Sequence, residues 1–220
     1  MGKLIVLEGT DGSGKATQCA ALAEALEKMG IPCRKVEFPQ YAEESSALIR
    51  MYLAGQFGDK PSDVNGYAAS TFYAVDRYAS YKKDWGKFYE AGGLILADRY
   101  TTSNAVHQGS KLEGQARSEF FDWLFDFEYR LMGLPEPDLV IYLDVPVDQT
   151  EKNMRHREEE TNTTADIHEK DKEYLNQCRL SASQAADQFG WRRIACTQQG
   201  KMRAIADIHK EVLQAVKEIL

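Results

Sequence analysis

The 220-residue chain contains no apolar run long enough to span a bilayer. Its first residues lead into a strand-like segment rather than a cleavable leader, so the expected compartment is the cytoplasm. Basic charge is not in excess. The 27 Lys and Arg residues face 34 Asp and Glu residues, a net charge of −7. That balance argues against broad electrostatic binding to nucleic acid. The four cysteines, Cys19, Cys33, Cys178 and Cys196, show no C-x-x-C spacing. Each lies in an apolar or helical pattern and reads as a buried, reduced thiol. No internal repeat is visible, and no low-complexity tract beyond Glu158-Glu159-Glu160. What remains is a single domain over residues 1–220, long enough to build a substantial core.

The chain is organised around its first eighteen residues. Leu4 to Leu7 is a short apolar run and reads as a strand buried on both faces. Gly9-Thr10-Asp11-Gly12-Ser13-Gly14-Lys15-Ala16-Thr17 follows, and Cys19 to Met29 reads as a helix closed by Gly30. Strand, glycine loop, lysine and helix form the context of a phosphate-binding loop. Glycines let successive backbone N–H groups converge on an anion, the helix N-terminus adds its positive dipole end, and Lys15 can reach terminal phosphates. The pattern G-x-x-x-x-G-K-[ST] breaks at its last position, where Ala16 supplies no hydroxyl for a metal ion. Thr17 comes one residue later.

Further along, strand-like and helical patterns alternate. Strands are expected at Pro32–Pro39, Leu94–Asp98, Leu139–Asp144 and Arg192–Cys196. Helices are expected at Glu44–Leu53, from an Asp63 N-cap to about Glu90, at Gly114–Met132, from Val147, at Lys170–Phe189 and at Met202–Leu220. In the long helix, Ala68, Phe72, Val75 and Ala79 stand at helical spacing. Alternation of this kind calls for a parallel sheet covered on both faces, with ligands at the carboxyl ends of the strands. Asp11, Asp98 and Arg99 each fall just past a strand end, so they should converge.

Four blocks carry a family resemblance: Glu8 to Lys15, Phe38-Pro39-Gln40-Tyr41, Tyr73-Ala74-Val75-Asp76-Arg77, and Asp98-Arg99-Tyr100 through Ser103-Asn104 to Gln108-Gly109. In order and spacing the sequence resembles the thymidylate kinases over essentially its whole length. The resemblance implies a P-loop, nucleoside-monophosphate-kinase-like three-layer α/β fold with a five-stranded parallel sheet flanked by helices. It implies transfer of the ATP γ-phosphoryl group to dTMP with Mg²⁺, and a homodimer. It assigns Arg99 to the acceptor's phosphate, Arg77 to the thymine edge and Tyr73 to stacking on the base, where most members have phenylalanine. Tyr41 falls beside the acceptor phosphate. Asn104 and Gln108 share a helical face and suit a pyrimidine edge or ribose, whereas His107 suits the sugar or a structural surface position. Asp11 would position the sugar hydroxyl and the phosphoryl path. The segment of about 154–170 resembles the family's lid. With Ser13 and no arginine in the glycine loop, Arg155 and Arg157 are the candidates to supply positive charge there. Asp11, Asp98 and, in the lid, Glu169 are the candidate metal ligands.

Two other readings fit part of the pattern. One is a kinase for a different nucleoside or nucleoside monophosphate. The other is a nucleotide-binding regulatory module without an acceptor.

Overall fold

Leu4, Ile5, Val6 and Leu7 have no exposed surface, because the strand they form lies at the middle of a sheet covered on both sides. The computed structural model describes the backbone of residues 1–161 and 172–220, and the side chains of the same residues apart from 155–161. In chain order the elements are β1 (Lys3–Glu8), α1 (Lys15–Lys28), β2 (Cys33–Glu37), α2 (Ala47–Leu53), α3 (Gly66–Ser80), α4 (Gly86–Glu90), β3 (Leu94–Asp98), α5 (Thr101–His107), α6 (Gly114–Phe125), β4 (Leu139–Asp144), α7 (Val147–Thr161), α8 (Lys172–Phe189), β5 (Arg192–Ala195), β6 (Thr197–Gln198), β7 (Lys201–Met202) and α9 (Ile205–Lys217). The main sheet is parallel throughout, in the order β2-β3-β1-β4-β5.

Strand periodicity of two divides the core into two layers. Ile5 and Leu7 point to the side covered by α1 and α9, where they join Leu22, Leu26, Ile141, Ile208 and Val212. Leu4 and Val6 point to the other side and join Ile95, Ala97, Tyr100, Phe120, Phe121 and Ala182. The register sets Leu7 opposite Asp98 and Glu8 opposite Tyr142. The glycine loop after β1 and the segment after β3 therefore leave the sheet side by side.

Several local expectations are corrected. The N-cap of α3 is Asn65, whose side-chain oxygen accepts from Ala68 N at 2.8 Å, and not Asp63. Asp63 instead accepts from Lys60 N at 3.0 Å, three residues before α3 begins. On α3 the buried residues are Gly66, Ala69, Ser70, Ala74, Asp76, Arg77 and Ser80, while Val75 is 53% exposed. The inward face thus carries polar side chains, and the apolar stripe read from spacing lies partly outside. The expected long helices are each widened by a π turn, at Tyr81–Trp85 and at Asp126–Leu131. The closing helix starts at Ile205. A small hairpin precedes it, turning at Gln199 and Gly200, which both have positive φ as a two-residue hairpin loop requires. The segment expected as polar from Glu158 is still helical to Thr161. Among the described residues no helix is long and apolar enough to cross a membrane.

Gly66 opens α3 against α5. A Cβ there would sit 2.9 Å from the carbonyl oxygen of Gln108, a backbone atom that cannot turn aside. Gly66→Ala is expected to cost about 1–3 kcal/mol and to lower Tm by about 2–10 °C. Calorimetry of the purified variant checks this, and an unchanged Tm would show that the two helices separate freely.

Candidate active site

Helix α1 begins without the usual fittings. Its N-cap is Gly14, no side chain caps it, and no acidic residue lies in its first turn. The first-turn N–H groups and the positive end of the helix dipole are thus left for an anion. Glycine is required in this loop on two grounds. Gly12 has φ +76°, and a Cβ there would meet the Thr150 carbonyl oxygen at 2.6 Å; Gly14 has φ +88°. Lys15 is buried, and its ammonium donates to the Gly9 and Thr10 carbonyl oxygens at 2.8 and 3.0 Å. Burial, with Arg99 nearby, pushes its pKa down to about 8. Two of its three protons are occupied within the loop, which leaves one for a phosphate oxygen. Ala16 and Thr17 are both exposed on the first turn of α1.

Arg99 stands at φ +67°, a left-handed conformation that few non-glycine residues adopt. Its N–H is held by Leu7 O at 3.2 Å, so the backbone kinks at the end of β3. The kink turns the guanidinium toward the glycine loop, where it forms an ion pair with Asp11. Burial works against its charge, but Asp11, Glu8 and Asp98 outweigh that and hold its pKa above the ordinary arginine value. The expected convergence of Asp11, Asp98 and Arg99 is thus present at the strand tips. Arg99 Nη1 also lies 3.5 Å from His107 Nε2. A guanidinium can only donate, so Nε2 accepts and the ring proton sits on Nδ1, 3.6 Å from Cys178 Sγ. Burial and Arg99 push the pKa of His107 down to about 3. His107 is 7% exposed, so the surface position considered for it from sequence is corrected.

A second group of polar residues lies between α3, α5 and the π turn after α6. Arg77 donates to both oxygens of Glu128, from Nε at 2.6 Å and Nη2 at 2.9 Å. Thr101 Oγ1 and Asn104 Nδ2 donate to the same carboxylate at 2.8 and 3.3 Å. Arg77 was expected to present its fork to a base; in the structure it is 1% exposed, and two of its nitrogens serve Glu128. Gln108, expected on the same edge as Asn104, is fully buried, and neither side-chain polar atom has a partner. Tyr73 is half-buried on the same helix as Arg77, one turn earlier. Phe72 packs instead on Tyr52 and Phe57. Tyr41 is 53% exposed and lies within electrostatic reach of Arg99.

The residue pattern did not single out four residues that build this site. Glu8 is fully buried and accepts from Thr102 and Ser103 at 2.7 and 2.8 Å, tying the glycine loop to the start of α5. Asp76 accepts from Gln40 N and Ser45 Oγ at 2.8 and 2.6 Å and so fixes the loop that carries Tyr41. Asn153 of α7 donates to Gly12 O at 2.8 Å. Glu128 is the fourth. Its signal was available: Phe120, Phe121, Leu124 and Glu128 share one helical face, and a carboxylate on an apolar face needs a partner. The side chains of Arg155, Arg157 and Glu169 lie outside the described residues.

With this geometry in place, comparison with known proteins is decisive. The sequence profile of the family described as thymidylate kinase matches residues 7–208. The chain belongs to the thymidylate kinase family. A thymidylate kinase of Mycobacterium tuberculosis (strain H37Rv) is 30% identical over 190 residues, covering 86% of this chain and 87% of that protein. A probable thymidylate kinase of Pyrococcus horikoshii is 30% identical over 219 residues, covering 100% of this chain and 98% of that protein. Among solved structures, a thymidylate kinase from Candida albicans superposes with a TM-score of 0.72 at 17% identity, covering 99% of this chain and 92% of that one. That last likeness concerns the fold.

In this member of the thymidylate kinase family, His107 is buried uncharged. The unfolded chain takes up its proton near pH 6.5, whereas the folded histidine resists until about pH 3. Stability contributed by neutral His107 is therefore complete above pH 6.5 and is lost as pH falls through that window. Relative to wild type, His107→Phe is expected to flatten the decline of urea midpoint between pH 7 and pH 4. Parallel declines in the two proteins would contradict the burial argument.

Proposed function

We infer that this chain transfers the γ-phosphoryl group of ATP to dTMP, giving dTDP and ADP. One observation supports it most directly: the Arg99–Asp11 ion pair joins a phosphate-binding loop to an arginine placed for a second phosphate. A slow regulatory module needs only the first of these. Family membership supports the same reading and names thymine as the acceptor's base.

Each residue then has a physical task. The glycine loop and the N-terminus of α1 hold the donor's phosphates, and Lys15 donates to their terminal oxygens. Arg99 exchanges Asp11 for the acceptor's phosphate, with Tyr41 beside it. Released from Arg99, Asp11 accepts from the sugar hydroxyl. Tyr73 stacks on the base, and Arg77 and Asn104 bond its edge. An oxygen of the acceptor phosphate attacks γ-phosphorus, and the bond to the β–γ bridging oxygen breaks, the electron pair leaving on ADP. Phosphate monoesters have a second pKa near 6, so the attacking oxygen is already anionic and no protein base is required. Arg155 or Arg157 would supply positive charge to the transferring group, an effect worth about 10³–10⁵ in rate where it has been dissected.

Among the described residues no group of three or more His, Cys, Asp or Glu side chains could hold a metal. Mg²⁺ does not need one, because it binds through one or two carboxylates, water and the substrate's own phosphates. Asp98 and Asp11, both within electrostatic reach of Lys15, are the carboxylates that fit, and Glu169 is a further candidate. When bound, the ion supplies positive charge at the β- and γ-phosphoryl oxygens.

A homodimer is supported by an outward stripe on α3. Tyr67, Val75 and Tyr78 are 41%, 53% and 38% exposed at helical spacing, and Tyr67 packs on half-buried Trp123, itself stacked on Phe127. Exposed apolar side chains gathered on one helix face suit an interface. The expected mass by light scattering is twice that of the chain. Val75→Glu with Tyr67→Glu should reduce it to one, and a wild-type monomer would exclude the dimer.

Activity is tested by coupled ADP release over a panel of nucleosides and monophosphates with ATP and Mg²⁺. dTMP is expected to give the highest kcat/KM. Lys15→Ala and Arg99→Ala should each lower turnover by about 10²-fold or more, while circular dichroism stays unchanged. Preference for an unphosphorylated nucleoside, or hydrolysis indifferent to any acceptor, would sink the assignment.

A further inference from the structure

Glu128 is the most completely surrounded charge in the described protein. It has no exposed surface, and its two oxygens accept from Arg77 Nε, Arg77 Nη2, Thr101 Oγ1 and Asn104 Nδ2. These donors come from two different helices, and Glu128 itself sits in the π turn Asp126–Leu131. Single wide turns of this kind are frequent at functional sites. A buried ion pair is a poor source of net stability, since an apolar pair of the same volume commonly does as well or better. The arrangement has a different consequence, which is directional.

A carboxylate only accepts, so whatever touches it must turn a donor inward. Asn104 donates one amide proton to Glu128 and the other to Ser70 O at 3.4 Å. Its NH₂ group is thereby fully used, and its carbonyl oxygen is the group left to meet a ligand. Arg77 is likewise fixed by two nitrogens, and its remaining terminal nitrogen can only donate. One donor and one acceptor, with their senses imposed from behind, form a specific template. Thymine matches it with a carbonyl at position 4 and a proton on N3. Cytosine, with an amino group at position 4 and a lone pair on N3, has the opposite sense at both positions.

We propose that Glu128 is a specificity-determining positioning residue: by accepting from Arg77, Thr101 and Asn104 it sets the hydrogen-bonding sense of the base pocket and so selects 4-oxo over 4-amino pyrimidines. The proposal rests on the reading of Arg77 and Asn104 as base-edge residues given above. Glu128 touches no substrate and acts through those two side chains.

Glu128→Gln is the decisive substitution, because it preserves shape while replacing one acceptor oxygen by a donor; it also removes the charge that pairs Arg77, a cost that thermal melting reports. Arg77 donates to both carboxylate oxygens and cannot accept, so it loses one acceptor whichever oxygen becomes NH₂; on the Oε1 side the new NH₂ also faces Asn104, and on the Oε2 side it faces Thr101. On the Oε1 side Asn104 turns its own carbonyl inward and presents NH₂ to the base; on either side Arg77 is no longer held by two acceptors. With purified wild type and variant, kcat and KM are measured for dTMP and dCMP at saturating ATP and Mg²⁺, alongside thermal melting. The ratio of kcat/KM for dTMP over dCMP is expected to fall by about tenfold or more in the variant. The loss on dTMP should appear mainly in KM.

A folded Glu128→Gln protein with an unchanged ratio overturns the proposal, as does a wild type that uses both nucleotides equally. A wild type that ignores dTMP overturns instead the function inferred above. Should Glu128→Gln melt early, Thr101→Val removes one donor to the same carboxylate at nearly constant volume. It is expected to raise KM for dTMP about fivefold with kcat within about twofold, and an unchanged KM again overturns the proposal.

Discussion

Leu7 lies opposite Asp98 in the parallel pairing of β1 and β3, and the rest of the site follows from that register. Two strands that end level release two loops at the same height. One becomes the glycine loop and the other turns sharply at Arg99, whose N–H stays attached to Leu7 O. Glu8, the last residue of β1, then reaches across to Thr102 and Ser103. A shift by one residue would invert every side chain of β1 between the two core layers. It would bury Glu8 among the aliphatic residues around α1. The continuous apolar packing on both faces makes such a shift prohibitive, so geometry at the phosphate end is enforced by the core.

Charge is handled differently at the two ends of the site. At the strand tips, Lys15, Arg99, Asp11 and Asp98 are mutually close, and Arg99 and Asp11 are only partly shielded, so their balance can change when an anion arrives. Between α3, α5 and the π turn after α6, Arg77 and Glu128 are sealed from solvent and hydrogen-bonded to each other. Removing one member of such a pair typically costs about 3–5 kcal/mol because the other is left uncompensated. The first arrangement is adjustable and the second is rigid. That division suits a site in which phosphates move and a base must be read.

The sheet was legible because its strands are short apolar runs bounded by glycine, proline or acid, as in Leu4–Leu7 and Leu94–Asp98. The phosphate loop was legible because its chemistry demands glycine at fixed intervals. Helix α3 was harder. Its inward face carries Ser70, Asp76 and Arg77, so a search for apolar spacing settles on Val75, which faces out. The π turns were invisible because one extra residue in a turn leaves no mark on composition. The apolar face around Glu128 marks it as a buried acid, but its partner Arg77 lies 51 residues away in sequence, and Gln40 lies 36 residues from Asp76, so neither pairing can be read from spacing. Family resemblance supplied the base-edge assignment for Arg77, and only the structure revealed that Glu128 stands behind it.

If Arg99 takes the acceptor's phosphate as proposed, its ion pair with Asp11 gives substrate capture the character of an exchange. A ligand arriving at Arg99 does not neutralise a bare cation; it must displace a carboxylate that is covalently tethered and always at hand. Chloride or another monoanion offers little advantage over that carboxylate, whereas a dianionic phosphate brings more charge and three oxygens. Ambient salt is therefore a weak competitor at this point. In the proposed reading the displaced carboxylate is not lost either: it would be set free beside the sugar as the phosphate takes its place, so occupancy of one contact would prepare the next.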